Sequence, residues 1–145
     1  METKTYTAEL EAYKFVIDKL NETRVAIFNL SKDENRLNNL ITKKEAMFKK
    51  EISEEMNEDG KKKYSNESMR DSELIRREAI NPDYSGWEMQ AVEINDKKQE
   101  KLIELEYMKA QQKYWELVIS IIKNPDESES LKRIAEATQE LAKRK

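Results

Sequence analysis

Apolar residues recur along the first third of the chain at the spacing of one helical face. The positions are three, four or seven residues apart: Leu10, Tyr13, Ile17, Leu20 and Ile27, then Leu37, Ile41, Phe48 and Ile52. This pattern predicts a helix over about residues 6–57. At 1.5 Å per residue such a helix is roughly 75 Å long, far longer than a typical helix of a globular domain.

The polar stretch SKDENR interrupts this stripe between Leu30 and Leu37. Ser31 followed three residues later by Glu34 fits a capping box, which allows a break into two helices. Neither Gly nor Pro marks a turn in this stretch, so we expect one continuous helix with a polar section in its seam.

Three further segments follow the first helix. Asp59-Gly60 predicts its end, because Gly readily takes the left-handed conformation of a helix C-terminus. A short helix is expected over about residues 66–80, capped by Ser65 or Asn66. Asn81-Pro82-Asp83 then has the residue types of a helix start and predicts a second long helix over residues 82–123.

The second long helix carries its own apolar stripe, and a last segment follows it. The stripe consists of Trp87, Ala91, Ile94, Leu105, Met108, Trp115, Ile119 and Ile122. Asn124-Pro125 ends the helix, and residues 124–145 are read as a C-terminal amphipathic helix or a flexible tail. The predicted organisation is therefore a hairpin over residues 1–123 followed by this C-terminal element.

The predicted fold is all-α, with the two long helices in an antiparallel, coiled-coil-like hairpin. In that arrangement Trp115, Ile119 and Ile122 should pack near the start of the first helix, around Tyr13, Ile17 and Leu20. Several apolar residues lie off the main seam, among them Phe15, Val25, Phe28, Met47 and Ile103. A homodimeric bundle would cover them; the alternative is a monomer whose shorter helices fold back over them.

Composition narrows the classes of function. Charged residues make up 39% of the chain, which has 2 Gly, 2 Pro, no Cys and no His. Without Cys or His, a disulfide, a thiol nucleophile, a Cys/His zinc site and a His-dependent triad are excluded. Carboxylate-only Ca²⁺ or Mg²⁺ chemistry survives, but the Ca²⁺ loop pattern of alternating Asp or Asn with a central Gly is absent. We expect a protein that is not an enzyme and that has no cofactor or metal. With no apolar signal region, it is expected to be soluble and cytoplasmic.

Basic residues concentrate in one place, the basic turn (residues 61–70). Its candidate partner-binding residues are Lys61, Lys62, Lys63, Tyr64, Asn66 and Arg70, and Arg76 and Arg77 follow on the short helix. Lysines beside an aromatic ring can grip phosphates and stack on a base. Acidic residues flank the turn on both sides, however, and the net charge of −3 gives no general attraction to nucleic acid. A protein partner is therefore favoured over nucleic acid.

Other candidate groups have simpler explanations. The acids Glu51, Glu54, Glu55, Glu58 and Asp59 form a charge run typical of a solvated helix face. Tyr84, Trp87 and Trp115 lie near helix ends, where aromatic residues belong either to a core or to an interface.

The central segment also carries a resemblance. Gly60, Lys61, Lys63, Tyr64, Ser65, Asn66, Glu67 and Arg70 match the pattern Gly-Lys-x-Lys-Tyr-Ser-Asn-Glu-x-x-Arg. Over about residues 40–120 the chain resembles small helical proteins encoded by phages and prophages of Gram-positive bacteria. The resemblance implies a location in the bacterial host cell. It also implies one of two roles: inhibition of a host protein, such as a defence component of the kind that anti-CRISPR proteins target, or an accessory role in phage recombination or replication.

Overall fold

A computed structural model describes residues 2–124 and 129–143. Over these ranges the chain is all-α, as predicted, apart from an isolated antiparallel bridge between Met56 and Lys62. Its four helices are α1 (Glu2–Glu54), α2 (Glu67–Ile80), α3 (Pro82–Lys123) and α4 (Glu129–Lys143). None of the described helices combines the length and the apolar character that crossing a membrane requires.

Helix α1 is continuous through the polar stretch that could have divided it. Leu37, the first apolar residue after that stretch, has no exposed surface, so burial resumes at once on the same helix. The expected helix end was wrong, because α1 stops at Glu54. Gly60 does take the left-handed conformation, with φ of 75°, but it lies in the loop that follows.

Two asparagine side chains fix the starts of α2 and α3. Asn66 Oδ1 accepts a hydrogen bond from the backbone N–H of Met69 at 2.9 Å, which satisfies a donor that the first turn of α2 leaves unpaired. Asn81 Oδ1 accepts one from the N–H of Tyr84 at 2.9 Å. The N–H of Asn81 also donates to the Arg77 carbonyl at 3.1 Å, so Asn81 ends α2 and begins α3.

The chain divides into two compact units. Unit 1 contains Met1–Asn29 and Lys98–Lys145, and unit 2 contains Leu30–Lys97. Each unit is described separately below.

In unit 1, the first half of α1 and the second half of α3 run antiparallel. Tyr13 Oη donates to Glu116 Oε1 at 3.5 Å, and Thr23 Oγ1 donates to Glu104 Oε1 at 3.4 Å. Thr23 is 2% exposed, and Val16 and Leu20 are buried beside it on the same face of α1. Polar and apolar groups therefore share the seam of this unit.

In unit 1, the alignment of α1 with α3 differs from the one that the expected contacts around Trp115 require. The Tyr13–Glu116 hydrogen bond sets Trp115 level with Tyr13, whereas Leu20 is level with a part of α3 about two helical turns before Trp115. Trp115 is half-buried, so it lies at the edge of the core and not in its centre.

Helix α4 also belongs to unit 1, and it is packed. Its Thr138 and Ala142 are only 9% and 1% exposed, which favours the helix over the flexible tail for residues 129–143. The expected boundary at Pro125 lies outside the described residues.

In unit 2, the end of α1, α2 and the start of α3 meet around one apolar cluster. Phe48, Ile52 and Tyr84 are 8%, 2% and 5% exposed, and Ile41, Tyr64 and Leu74 pack against them. The Phe48 and Tyr84 ring centroids are 6.3 Å apart. Tyr84 is thus a core residue, while Trp87 one turn later is half-buried. This cluster is the platform on which α2 lies.

Candidate functional site

The loop after α1, residues 55–63, is held by its own backbone and by one asparagine. Asn57 Oδ1 accepts hydrogen bonds from the N–H groups of Asp59 and Lys61, both at 3.0 Å. The N–H of Asn57 donates to the Lys61 carbonyl at 2.7 Å, and that of Lys63 donates to the Glu55 carbonyl at 2.9 Å. We call this segment the asparagine loop. Its hydrogen bonds present the lysines of the basic turn on a defined backbone.

Arg77 connects the asparagine loop, α1 and α2. Its guanidinium donates to Glu73 Oε2 at 2.7 Å and to Glu55 Oε2, and one of its nitrogens lies 3.6 Å from Glu51 Oε2. Its Cζ atom also lies 5.9 Å from the centre of the Tyr64 ring, within cation–π range. Because the Arg77 side chain is only 17% exposed, its main role is to hold α2 against the end of α1.

Glu73 faces Arg77 from α2 and is the most buried charged residue of this region, at 8% exposed. It also receives two hydrogen bonds from Arg76, at 2.7 Å and 2.8 Å. The hydrogen bonds from Arg76 and then Arg77 hold the pKa of Glu73 far below its usual value. A hydrogen bond from Arg77, with Lys63 nearby, likewise lowers the pKa of Glu55. Both carboxylates therefore stay ionised through the physiological pH range.

Most of the predicted binding residues have structural contacts. Lys63 lies 3.5 Å from Glu55 Oε1, Tyr64 is half-buried, and Arg70 donates to the Tyr64 carbonyl at 3.4 Å. Asn66 is the N-cap of α2, and Arg77 occupies the network just described. Lys61 and Lys62 are exposed, and so is Arg76, whose side chain is 59% exposed although it is paired with Glu73.

The side of α2 opposite Arg77 and Glu73 faces solvent, and we call it the α2 outer face. Three of its apolar side chains are well exposed: Met69 at 43%, Ile75 at 67% and Ile80 at 65%. Arg76 is the charged residue among them. The full face consists of Ser68, Met69, Ser72, Ile75, Arg76, Ala79 and Ile80. The outer side of α2 therefore combines exposed apolar side chains with one arginine and small polar residues.

A shallow depression of about 370 Å³ joins the α2 outer face to the basic turn. The half-buried Tyr64 is one of its lining residues, and the ammonium of Lys63 lies 5.5 Å from the centre of its ring. The lining residues are Tyr64, Ser68, Met69, Ser72, Glu73 and Arg76. The depression therefore offers an aromatic ring, a flexible methionine and hydroxyl groups next to a cation.

Sequence reasoning found the cations of this site but not its apolar part. The signal was available: Met69, Ser72, Arg76 and Ile80 follow one another at spacings of three and four. The same spacing also describes a buried stripe, and the sequence does not show which side of a short helix faces the core. Intrahelical pairs of Arg76 and Arg77 with Glu73 are the usual explanation of acids at this spacing, and the structure has both of them. The burial of Glu73 was not predicted, because it depends on the position of Arg77 beside α1.

The acidic run that precedes the turn has a partly structural role. Glu51 and Glu55 contact Arg77, whereas Glu54, Glu58 and Asp59 are exposed. Among the described residues, no three acidic side chains are grouped closely enough to hold a metal ion.

Comparison of the chain with protein families, with curated proteins and with solved structures gives no match.

Proposed function

We propose that this chain is a non-catalytic protein-interaction module whose partner binds the α2 outer face and the adjoining basic turn. The observation that carries the proposal is the two-sided character of α2. Its inner side is held by Arg77, which contacts Glu51 of α1 and Glu55 of the asparagine loop, while its outer side exposes Met69, Ile75 and Ile80. A helix fixed on one side and apolar on the other is suited to receiving a partner.

The composition of this surface favours a protein partner. Cores of protein interfaces are enriched in Met, aromatic residues and Arg, and their rims are polar. The α2 outer face has Met69 and Arg76 near the Tyr64 ring, with exposed serines between them. Lys61 and Lys62 lie in the neighbouring loop, where they can attract acidic groups of the partner at the rim.

The resemblance to phage and prophage proteins leads us to propose a protein of the bacterial host as this partner. Binding would modulate or inhibit that protein, and a component of a host defence system is the target that the resemblance suggests. The activity lies in occupying the partner's surface, so it requires no catalytic group, cofactor or metal.

A pair of matched substitutions tests the location of the binding surface. Ile75 on α2 and Met89 on α3 are equally exposed, both at 67%. We expect Ile75→Glu to abolish partner capture from host lysate, because it places a charge in the interface, and Met89→Glu to leave capture intact. Circular dichroism should show that both variants keep their helices. Equal capture by wild type and Ile75→Glu would refute this surface as the binding site.

Nucleic-acid binding by the basic turn is the second proposal, and it is supported by the exposure of Lys61 and Lys62 on an ordered loop. Such binding should weaken steeply as salt is raised, because each neutralised phosphate releases counterions. With two or three available cations, we expect a slope of log K against log salt of about −1.4 to −2 for a single strand. A fluorescence titration with single-stranded DNA or RNA at low salt measures it, and the absence of binding there would eliminate this proposal.

We also propose that the chain forms a homodimer in which a second copy covers apolar side chains of unit 1. Phe15, Val25 and Phe28 on α1 are 60%, 58% and 63% exposed. Large exposed aromatic side chains on one helix are typical of association surfaces. The antiparallel contacts of α1 with α3 in unit 1 are those of a helical hairpin, and pairing of two hairpins would complete a four-helix bundle.

A further inference from the structure

Three glutamates, one from each helix of unit 2, lie three or four residues along their helices from a residue of the apolar cluster of that unit. Glu45 precedes Phe48 by three residues on α1, Glu78 follows Leu74 by four on α2, and Glu88 follows Tyr84 by four on α3. Residues three or four apart share a helix face. Since Phe48, Leu74 and Tyr84 pack together, the three carboxyl groups are directed toward the same region beside the cluster.

Glu78 is the member of this group with a buried oxygen that lacks a donor. Its Oε2 atom is out of contact with solvent and has no hydrogen-bond partner. An ionised carboxylate only accepts hydrogen bonds, and a buried acceptor without a donor is costly. A protonated carboxyl is different, because it carries a hydrogen that it can donate.

The charged and titratable groups around Glu78 favour its protonated form. Glu45 on α1 and Glu88 on α3 are acids, and Tyr84 is a phenol that is 5% exposed. Burial raises the pKa of Glu78; Tyr84 opposes this with a hydrogen bond, and Glu45 and Glu88 add to the rise. Burial and the Glu78 carboxylate together also raise the pKa of Tyr84.

The nearest cations on these helices have other contacts. Lys44, which precedes Glu45, lies over the Phe48 ring at 5.5 Å. Arg77, which precedes Glu78, faces the carboxylates of Glu73, Glu55 and Glu51.

We propose that Glu78 and Glu45 form a proton-controlled contact between α2 and α1, in which the protonated Glu78 carboxyl donates a hydrogen bond to the Glu45 carboxylate. Loss of that proton leaves two carboxylates facing each other, and their repulsion loosens the end of α2. Protonation of Glu78 therefore strengthens the attachment of α2 to unit 2 without any change at the Arg77 network. The inference is independent of what binds the α2 outer face.

The direction of the pH effect follows from proton linkage. A carboxyl whose pKa is raised in the folded state binds its proton more tightly there than in the unfolded chain. Its stabilising contribution is complete below the unfolded value of 4.5 and is lost as pH rises through the folded value. Unit 2 should therefore lose this contribution as pH rises through the raised pKa of Glu78.

Glu78→Gln tests the contact, because an amide has nearly the shape of a protonated carboxyl and donates to Glu45 at every pH. We expect this variant to have a higher melting temperature than wild type at pH 7.5 and the same melting temperature at pH 4.5. Glu93→Gln is the matched control, since it removes one negative charge from an exposed position of α3 in the same unit. It should shift the melting temperature only slightly, and by a similar amount at both pH values.

A titration of the wild-type protein gives a second measurement. In carbon-detected NMR, the side-chain carboxyl carbon of Glu78 should titrate with a midpoint above 4.5, and Glu45→Gln should lower that midpoint. A Glu78 midpoint at or below 4.5 would overturn the proposal. A stability difference between Glu78→Gln and wild type that is the same at pH 4.5 and pH 7.5 would do so as well.

Discussion

Truncation of Ile52 tests whether the apolar cluster of unit 2 is the platform that supports α2. Ile52 is 2% exposed and packs in the cluster with Phe48 and Tyr84. Ile52→Ala removes three carbon atoms from this site, each worth about 0.8 kcal/mol of transfer free energy. The cavity left behind adds to that loss, so the free energy of unfolding should fall by about 3–4 kcal/mol.

Two further variants serve as references for the loss of unfolding free energy expected of Ile52→Ala. Ile52→Val removes a single carbon and should cost about 1 kcal/mol. Ile75→Ala makes the same chemical change as Ile52→Ala at a position that is 67% exposed, and it should cost about 0.5 kcal/mol or less. For a chain of this size, about 3 °C of melting temperature corresponds to each kcal/mol. Ile52→Ala should therefore lower the melting temperature by about 10 °C.

Urea denaturation followed by tryptophan fluorescence measures the free energies of unfolding of unit 2 in these variants. Trp87 lies in unit 2 and Trp115 in unit 1, so a Trp115→Phe background makes the signal report on unit 2. Equal shifts of the transition by Ile52→Ala and Ile75→Ala would refute the placement of the core, because the two sites would then be equally buried.

Three other predictions concern acid, Trp115 and oligomeric state. The lowered pKa of Glu73 contributes stability that is present above its unfolded value of 4.5 and is lost as pH falls below it. Acid titration of Trp87 fluorescence should therefore show unit 2 loosening below pH 4.5, and no change down to pH 2 would contradict the Arg77 network. Trp115→Ala should cost about 1–3 kcal/mol in urea denaturation, less than for a fully buried tryptophan, because the side chain is half-buried. Light scattering at micromolar concentration should give about twice the chain mass of 17.2 kDa, and a constant monomer mass would refute the homodimer.

The sequence predicted the helices well because their signals are local. Asn81-Pro82 combines a capping side chain with the residue best suited to a first helical position, and α3 begins at Pro82. The continuity of α1 was also predictable, since Gly and Pro are absent from residues 31–36. The end of α1 was predicted too late. The N–H of Asn57 bonds the Lys61 carbonyl in the asparagine loop, and this competing turn is not visible in helix propensities.

The candidate site was predictable only in part, for a physical reason. Clusters of Lys and Arg are visible in any sequence, but their contacts depend on residues that are distant along the chain. Arg77 meets Glu55 across 22 positions, and this ion pair makes Arg77 a structural residue. The exposure of Ile75 depends in turn on which side of α2 the Arg77 network draws toward α1.

In the two units, the residues that contact each other are separated by different numbers of positions along the chain, and this difference predicts an order of folding. In unit 2, the asparagine loop closes over a few residues and the Arg77–Glu55 pair over 22. In unit 1, Thr23 meets Glu104 and Tyr13 meets Glu116 across 81 and 103 positions. Closing a longer loop costs more entropy and slows folding. A chain emerging from the ribosome can therefore complete unit 2 once residue 97 is free, while the first half of α1 must wait for the end of α3.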